Sequence, residues 1–244
     1  MKNNQQTLTH LAIICDGNRR WAQSQGLPAY KGHEYAVKKV FEPLIDHAIK
    51  LKIKYLTFWI FSTENWQRDK KEVEVLLQLF RYTFDKQIDK FHAKDVRVKV
   101  IGNREMFPID IQERMKNGET KTAKNKTLTV QLAMSYGGTD ELIRAINKLI
   151  AQIQNSKYQI PGKSQSSNIQ ITKEMFASCL DTAGIPDPDL IVRTSGEQRL
   201  SGFMPWQSVY SELYFPKWTF PEFTPVRLDE CVTEYERRQR RFGK

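Results

Sequence analysis

Short apolar segments alternate with longer amphipathic ones along the chain, and this alternation constrains the fold more than any other feature. Runs rich in β-branched and aromatic residues predict strands over 10–15, 55–62, 97–102, 127–135, 189–194 and 211–215. Helical spacing fills the gaps. From Val73, the apolar residues Leu76, Leu77, Phe80, Phe84, Ile88 and Phe91 share one helix face. Asp69, three residues before Glu72, is placed to cap that helix. Residues 34–52 carry Val37, Val40, Phe41, Leu44 and Ala48 on one stripe, and Pro43 is expected to kink it. Thr139 and Thr172 are placed to cap two further helices, and 227–241 reads as the last one. The βα alternation predicts an α/β fold. A single doubly wound domain is expected over 1–244, with a mostly parallel six-stranded sheet flanked by helices. Residues 1–9 are expected to be flexible, and the polar stretch 154–170, with Pro161, Gly162 and several serines, is expected to be a surface loop.

Lys and Arg number 38 against 28 Asp and Glu, a formal charge of +10. Such a balance points to anionic partners: nucleic acid, an anionic membrane surface or phosphorylated small molecules. A solubilising lysine surface explains it equally well. No apolar run reaches the roughly 18 residues of a membrane span. The first nine residues contain no signal-peptide apolar region. Cys15, Cys179 and Cys231 are far apart and form no metal or redox motif, so a reducing, cytoplasmic setting is expected. Neither a Walker A lysine motif nor GxGxxG is present.

In open α/β sheets, ligands bind at the carboxyl ends of strands. Four polar clusters fall there. The first is Asp16-Gly17-Asn18-Arg19-Arg20-Trp21, the second Ser62-Thr63-Glu64-Asn65-Trp66 with Arg68. The third runs from Arg193 to Arg199 and on to Ser201, and the fourth is Glu212, flanked by Trp206 and Tyr210. In the first cluster, Gly17 allows close backbone approach and two guanidinium groups suit phosphate oxygens. Asp16 would repel a bare diphosphate, but becomes useful where a hard cation such as Mg2+ bridges the two. An Asx turn capping a helix is the plainer explanation of Asp16. Arg193 and Arg199, with nearby hydroxyls, suit a second phosphate group or a surface ion-pair network. Glu212 on an apolar strand calls for a metal or an arginine partner. His33, after Gly32, suits either phosphate binding or a helix cap.

Together these clusters resemble the cis-prenyltransferases, the undecaprenyl diphosphate synthase family. The resemblance rests on HLAIICDGNRRWA with GH at 32–33, FSTENWQR at 61–68, SYGG at 135–138, PDLIVRTSGEQRLSGFMPWQSVYSELYF at 188–215 and RFG at 241–243. It implies condensation of an allylic diphosphate, such as farnesyl diphosphate, with isopentenyl diphosphate to a cis-polyprenyl diphosphate. The fold would enclose a hydrophobic product tunnel, and undecaprenyl diphosphate for a cell-wall lipid carrier would be the principal product. Asp16 would position Mg2+ and assist departure of the diphosphate, with Glu212 a further metal ligand. Gly17, Asn18, Arg19, Arg20 and His33, with Trp21 beside them, would hold the allylic diphosphate. Arg193, Arg199, Leu200 and Ser201 would hold isopentenyl diphosphate. Asn65, with Ser62, Thr63 and Glu64, would lie near proton removal, and Trp66 and Arg68 on a loop closing over substrate. Arg241 and Gly243 would reach phosphate across a homodimer interface. The product would draw the protein to a membrane surface.

The chain departs from the family's common pattern. Arg19 stands where glycine is frequent, Ala29 where an arginine is frequent, and SYGG replaces NYGG. Ile60 stands where alanine is frequent on a tunnel-lining strand, which implies a shorter product. Trp59 beside it should face the other way. Two other classes deserve weighing. A non-catalytic relative would have lost the strand-end carboxylate, which this chain retains. A nucleic-acid partner is suggested by the basic C-terminus, but no nucleic-acid motif accompanies it.

Overall fold

The five residues of the central strand, His10–Ile14, are all buried, and this strand organises the rest of the chain. The computed structural model describes residues 7–155 and 170–238. After β1 (His10–Ile14) come α1 (Asn18–Ser24), α2 (Tyr30–Tyr35), α3 (Phe41–Lys50) and β2 (Tyr55–Ser62). Next are α4 (Lys70–Lys86), α5 (Ile88–Ala93), β3 (Val96–Ile101), α6 (Ile109–Thr122), β4 (Leu128–Tyr136) and α7 (Gly138–Gln154). The described chain ends with α8 (Lys173–Ala177), β5 (Leu190–Arg193), β6 (Glu212–Tyr214) and α9 (Pro225–Arg237).

The six strands form one sheet in the order β3-β4-β2-β1-β5-β6, with every pair parallel. Strands buried on both faces read as near-continuous apolar runs, which is why they were visible in the sequence. From β1 the chain turns towards β2, and from β5 it turns the other way to β6. The connections therefore diverge between β1 and β5, the topological switch point at which α/β sheets bind ligands. One sheet face buries Leu11, Ile13, Phe58, Val98, Leu132 and Val192 in the main core. The other buries Ala12, Ile14, Ala133 and Ile191 beneath Phe203 and Met204.

Local chemistry adjusts the helices. The stripe from Val73 breaks at Gln87 into α4 and α5, and Asp69 caps α4 by accepting from the Lys71 amide. Pro43 does not break its helix. Its missing N–H and its ring exclude the bond to Lys39, and the chain widens into a π-helical turn over Ala36–Val40 between α2 and α3. Thr172 caps α8 by accepting from Met175 N. Thr139 is not a cap, because α7 already begins at Gly138. Residues 7–9 are docked: Leu8 is buried, and Thr9 N and His10 N both donate to one oxygen of Asp189. Residues 1–6, the stretch 156–169 and the end of the expected last helix lie outside the described residues.

Candidate active site

Asp16 stands just past β1, after Cys15, and Gly17 turns the chain into α1 with φ +94°. A Cβ on Gly17 would meet the Thr219 side chain at 2.8 Å and Ser195 at 2.9 Å. Glycine is thus required twice, by backbone conformation and by space. One Asp16 oxygen accepts from the Gly17 amide at 2.6 Å and from Arg20 at 3.3 Å. The other accepts from Arg193 Nη2 at 3.0 Å and Nε at 3.3 Å. Arg193 ends β5, beside β1, and is buried. Its remaining nitrogen donates to the Arg199 carbonyl at 2.6 Å and to Ser201 Oγ at 2.8 Å. Thr194 Oγ fixes the Asp16 backbone from the same loop. The helix-cap explanation of Asp16 therefore fails: its carboxylate joins the ends of the two strands at the switch point.

Two carboxylates hold further arginines around this corner. Glu197 accepts from Arg20 at 3.3 Å and from Arg199 at 2.6 Å. Glu72 pairs with Arg68 at 2.9 Å and with Arg19 at 3.8 Å. Asp16, Gly17, Asn18, Arg19, Arg20, His33 and Arg68 line one open cavity. An adjoining one is lined by Asp16, Ser62, Glu64, Asn65, Arg68, Arg193 and Ser201. The sequence marked Glu72 only as a capping partner of Asp69 and Glu197 only as a member of the third cluster, although Arg68 and Glu72 stand at the i,i+4 spacing of a helical ion pair.

His33 lies inside α2 rather than at its start. Gly32 lets α2 close on α1, since any Cβ there would collide with the Asn18 carbonyl. Burial, reinforced by Arg68 and Arg19, pushes the His33 pKa down to about 4. The imidazole is therefore neutral at neutral pH, and its Nε2 is buried without a partner. Asn18 donates to the Cys15 carbonyl at 2.9 Å, while its own side-chain oxygen is also buried and unpaired. Burial and the Asp16 charge push the Cys15 thiol well up, so it stays protonated.

Behind Cys15, Asn18 and His33 a narrow cavity of about 60 Å³ continues along the sheet. Its walls are almost wholly apolar, with Ile45, Ile60, Leu79, Phe80, Phe91 and Leu132 among them. The register of β2 against β4 shifts between Trp59 and Phe61. Bulges of this kind re-aim side chains. Here Ile60 and Phe61 both pack towards the main core, while Trp59 faces the opposite side and stacks on Phe203 at 5.1 Å.

At the end of β2 a short turn, Thr63–Gln67, is closed by Ser62 and Asn65, each side chain bonding the other's backbone. Burial alone would raise the Glu64 carboxyl. Hydrogen bonds from its own amide and from Ser62 and Thr63 outweigh that and hold it below the usual range.

Several expected site residues lie elsewhere. Glu212 begins β6, level with Leu190 and hence with Leu11. That is the far end of the sheet, roughly 16 Å along the strands from Asp16 at about 3.3 Å per residue. Within one protomer Glu212 cannot share an ion with Asp16; it pairs instead with Arg238 at 3.1 Å, the arginine alternative for this carboxylate. Trp21 packs against Tyr35 with the rings tilted and their centroids 4.5 Å apart, and lines a separate groove with Leu27 and Lys31. Trp66 packs on Phe61 and Phe107, and its indole N–H donates to Ser135 Oγ. Thr63 packs beside Gly137 and Leu200 packs beneath the second sheet face, whereas Arg199 stays at the Asp16 corner with its exposed side chain paired to Glu197. Arg241 and Gly243 lie outside the described residues.

A divalent cation can be tested against these donors. Among the described residues no group of three or more His, Cys, Asp or Glu side chains is placed to hold one. Asp16 faces both cavities from which a diphosphate oxygen could complete a site, and Glu64 faces one of them. Mg2+ commonly takes one or two carboxylates plus substrate phosphates, so the donors fit a cation shared with substrate and do not form a closed protein cage.

Residues 14–243 match the family model described as putative undecaprenyl diphosphate synthase. The isoprenyl transferase of Thermotoga maritima is 40% identical over 234 residues, covering 96% of each chain. That of Neisseria gonorrhoeae is 38% identical over all of this chain and 95% of its own. Lavandulyl diphosphate synthase from Lavandula x intermedia, solved with dimethylallyl diphosphate, superposes with a TM-score of 0.89 at 32% identity, covering 98% of this chain and 99% of that one. A probable undecaprenyl diphosphate synthase from Campylobacter jejuni gives 0.79 at 30% identity, covering 98% and 100%. With its wholly parallel sheet and its arginine-ringed carboxylate at the switch point, the chain belongs to the undecaprenyl diphosphate synthase family of cis-prenyltransferases.

Proposed function

We propose that this cis-prenyl diphosphate synthase condenses isopentenyl diphosphate with an allylic diphosphate, such as farnesyl diphosphate, and that its principal product is undecaprenyl diphosphate. One observation carries the reading: two arginine-rich cavities meet at Asp16, and an apolar channel opens directly behind them. Such a layout suits two diphosphate heads and one growing hydrocarbon tail.

In each cycle the allylic C–O bond breaks and the diphosphate leaves with the electron pair. The isopentenyl double bond attacks the allylic carbon, forming the new C–C bond, and loss of a proton sets the new cis double bond. Arg19, Arg20 and Arg68 would take the leaving diphosphate as they release Glu72 and Glu197. His33, kept neutral, would donate one hydrogen bond to it without adding charge. Arg193 and Ser201, with Arg199 swinging inward, would hold the isopentenyl diphosphate. Asn65 and Ser62 would sit beside the proton that leaves. Mg2+, held by Asp16 and substrate oxygens, would neutralise charge on the departing group. Preorganised guanidinium groups supply most of the electrostatic stabilisation.

A shorter product is the second reading, and it rests on Ile60, which lines both the channel and its mouth. A homodimer completed by Arg241 and Gly243, and attachment at the cytoplasmic membrane face through the product, belong to the same proposal. No described helix is long and apolar enough to cross a membrane. The test is incubation of labelled isopentenyl diphosphate with several allylic starters, with and without Mg2+, followed by sizing of dephosphorylated products. Cation-dependent elongation of a farnesyl starter is expected; no incorporation with any starter overturns the reading.

A further inference from the structure

The channel behind His33 is apolar along its length except near its deep end. Helix α4 runs down it from Glu72, which holds Arg68 and Arg19 at the mouth. Leu76, Leu79, Phe80, Thr83, Gln87 and Phe91 follow in turn as wall residues. On the sheet side the deepest wall residue is Val130, which pairs with Leu56 near the start of β2. Thr83 spends its hydroxyl on the Leu79 carbonyl at 2.9 Å. Gln87 spends its backbone on Thr83 and Phe91, but its side-chain oxygen is buried with no hydrogen-bond partner.

Helical spacing gives this position to an apolar residue: Phe80, Phe84, Gln87 and Phe91 share one face. An amide with an unpaired oxygen contributes nothing to packing that leucine or methionine would not. Buried polar atoms without partners are rare and ask for an explanation. A cavity of about 60 Å³ has room for a few waters, and water in the empty channel can pair with that oxygen. A hydrocarbon tail cannot.

We propose that Gln87 is a specificity-determining residue that limits product length: the five-carbon unit that reaches it must displace water from an amide it cannot hydrogen-bond. This limit lies at the α4–α5 break, well below Ile60, and works by polarity, whereas a limit at Ile60 works by bulk. This inference rests on the apolar cavity being the channel for the growing chain.

Two variants test it, Gln87→Met and Gln87→Leu, each close to glutamine in volume but without the amide. Their dephosphorylated products are sized beside those of the wild type, from labelled isopentenyl diphosphate and one allylic starter. The expected result is a dominant product longer by one or more five-carbon units, with at least a tenfold rise in the ratio of the next longer product to the wild-type one. An unchanged distribution in either active variant overturns the inference and leaves the proposed reaction standing. A wild-type chain that makes no cis-prenyl product brings down the reaction and the inference together. Failure of both variants to fold, read by circular dichroism, would assign the amide to folding and overturn the inference as well.

Discussion

Arg193 donates two N–H groups, at 3.0 and 3.3 Å, to one carboxylate oxygen of Asp16. The pair joins β5 to β1 across the point where the chain's connections diverge. Arg193 has further acceptors in Ser201 and the Arg199 carbonyl, so it does not depend on Asp16 alone for pairing. Asp16, by contrast, is the only carboxylate among the described residues that faces both arginine-lined cavities.

Asp16→Ala should therefore separate fold from function. Turnover should fall by a factor of at least 100, because the variant loses the group that would hold the cation against the leaving diphosphate. Stability should change modestly, by about 1–2 kcal/mol, since Asp16 is partly exposed and Arg193 keeps two partners. Steady-state kinetics and urea unfolding of the same preparation check both halves. Near-normal kcat would remove Asp16 from the mechanism.

Acid should destabilise the fold through two histidines. Burial pushes both His10 and His33 down to about 4, against 6.5 for the free side chain. Between those values the unfolded chain binds more protons than the folded one, so stability rises with pH across this window. The stabilisation is fully present above pH 6.5 and is lost as pH falls towards 4, about 3 kcal/mol for each histidine. Glu141 and Asp187, whose carboxyls desolvation raises, oppose the trend in its lower part. Urea midpoints measured from pH 7.5 to 4.5 should fall steadily, and a His33→Gln variant should show a visibly shallower slope. A flat profile in the wild type would mean that neither histidine is held neutral.

Much of this was legible because parallel strands covered on both faces must be apolar throughout, and such runs stand out. All six strands fall within a residue or two of the expected positions. Helix α6 was not legible: its buried residues Ile111, Met115, Gly118 and Thr122 are correctly spaced but half of them are small or polar. A Cβ on Gly118 would crowd Ile88 and Phe84 at 3.3–3.4 Å, a demand set by α4 and α5 rather than by α6 itself. At the site, residues adjacent to strand ends were legible because the chain order places them there. Glu212 was misplaced because a motif records neighbours in sequence, while the register sets which end of the sheet a residue occupies. Trp21 and Trp66 had ring partners, Tyr35 and Phe107, that no local pattern announces.

Gly32→Ala should cost both stability and activity. A Cβ at this position meets the Asn18 backbone carbonyl, which cannot rotate away as a side chain could. Helices α1 and α2 would have to separate, carrying Arg19 and Arg20 away from His33. A loss of about 2–4 kcal/mol is expected, in the range of disruptive core substitutions, with a larger proportional rise in KM for the allylic substrate than for isopentenyl diphosphate. Gly26→Ala is the control, because nothing lies within 4 Å of a Cβ there; its cost should come only from a φ of +68°. Equal effects of the two substitutions would show that helix contact at Gly32 is not what matters.

Ile60→Ala tests the upper part of the channel. The register shift between Trp59 and Phe61 turns Ile60 and Phe61 to the same side, and of the two only Ile60 lines both the channel and its mouth. Removing its three outer carbons leaves space that a growing chain can enter, where a dry cavity would otherwise cost about 1–3 kcal/mol of stability. The variant should be less stable without substrate, and its products should be longer than the wild type's. Trp59→Phe, on the opposite sheet face, should leave product length unchanged while weakening the fold through loss of its hydrogen bond to the Tyr136 carbonyl. Thermal unfolding and product sizing of both variants distinguish these cases. Unaltered product length in Ile60→Ala would mean that Ile60 only packs, and that length is set deeper in the channel.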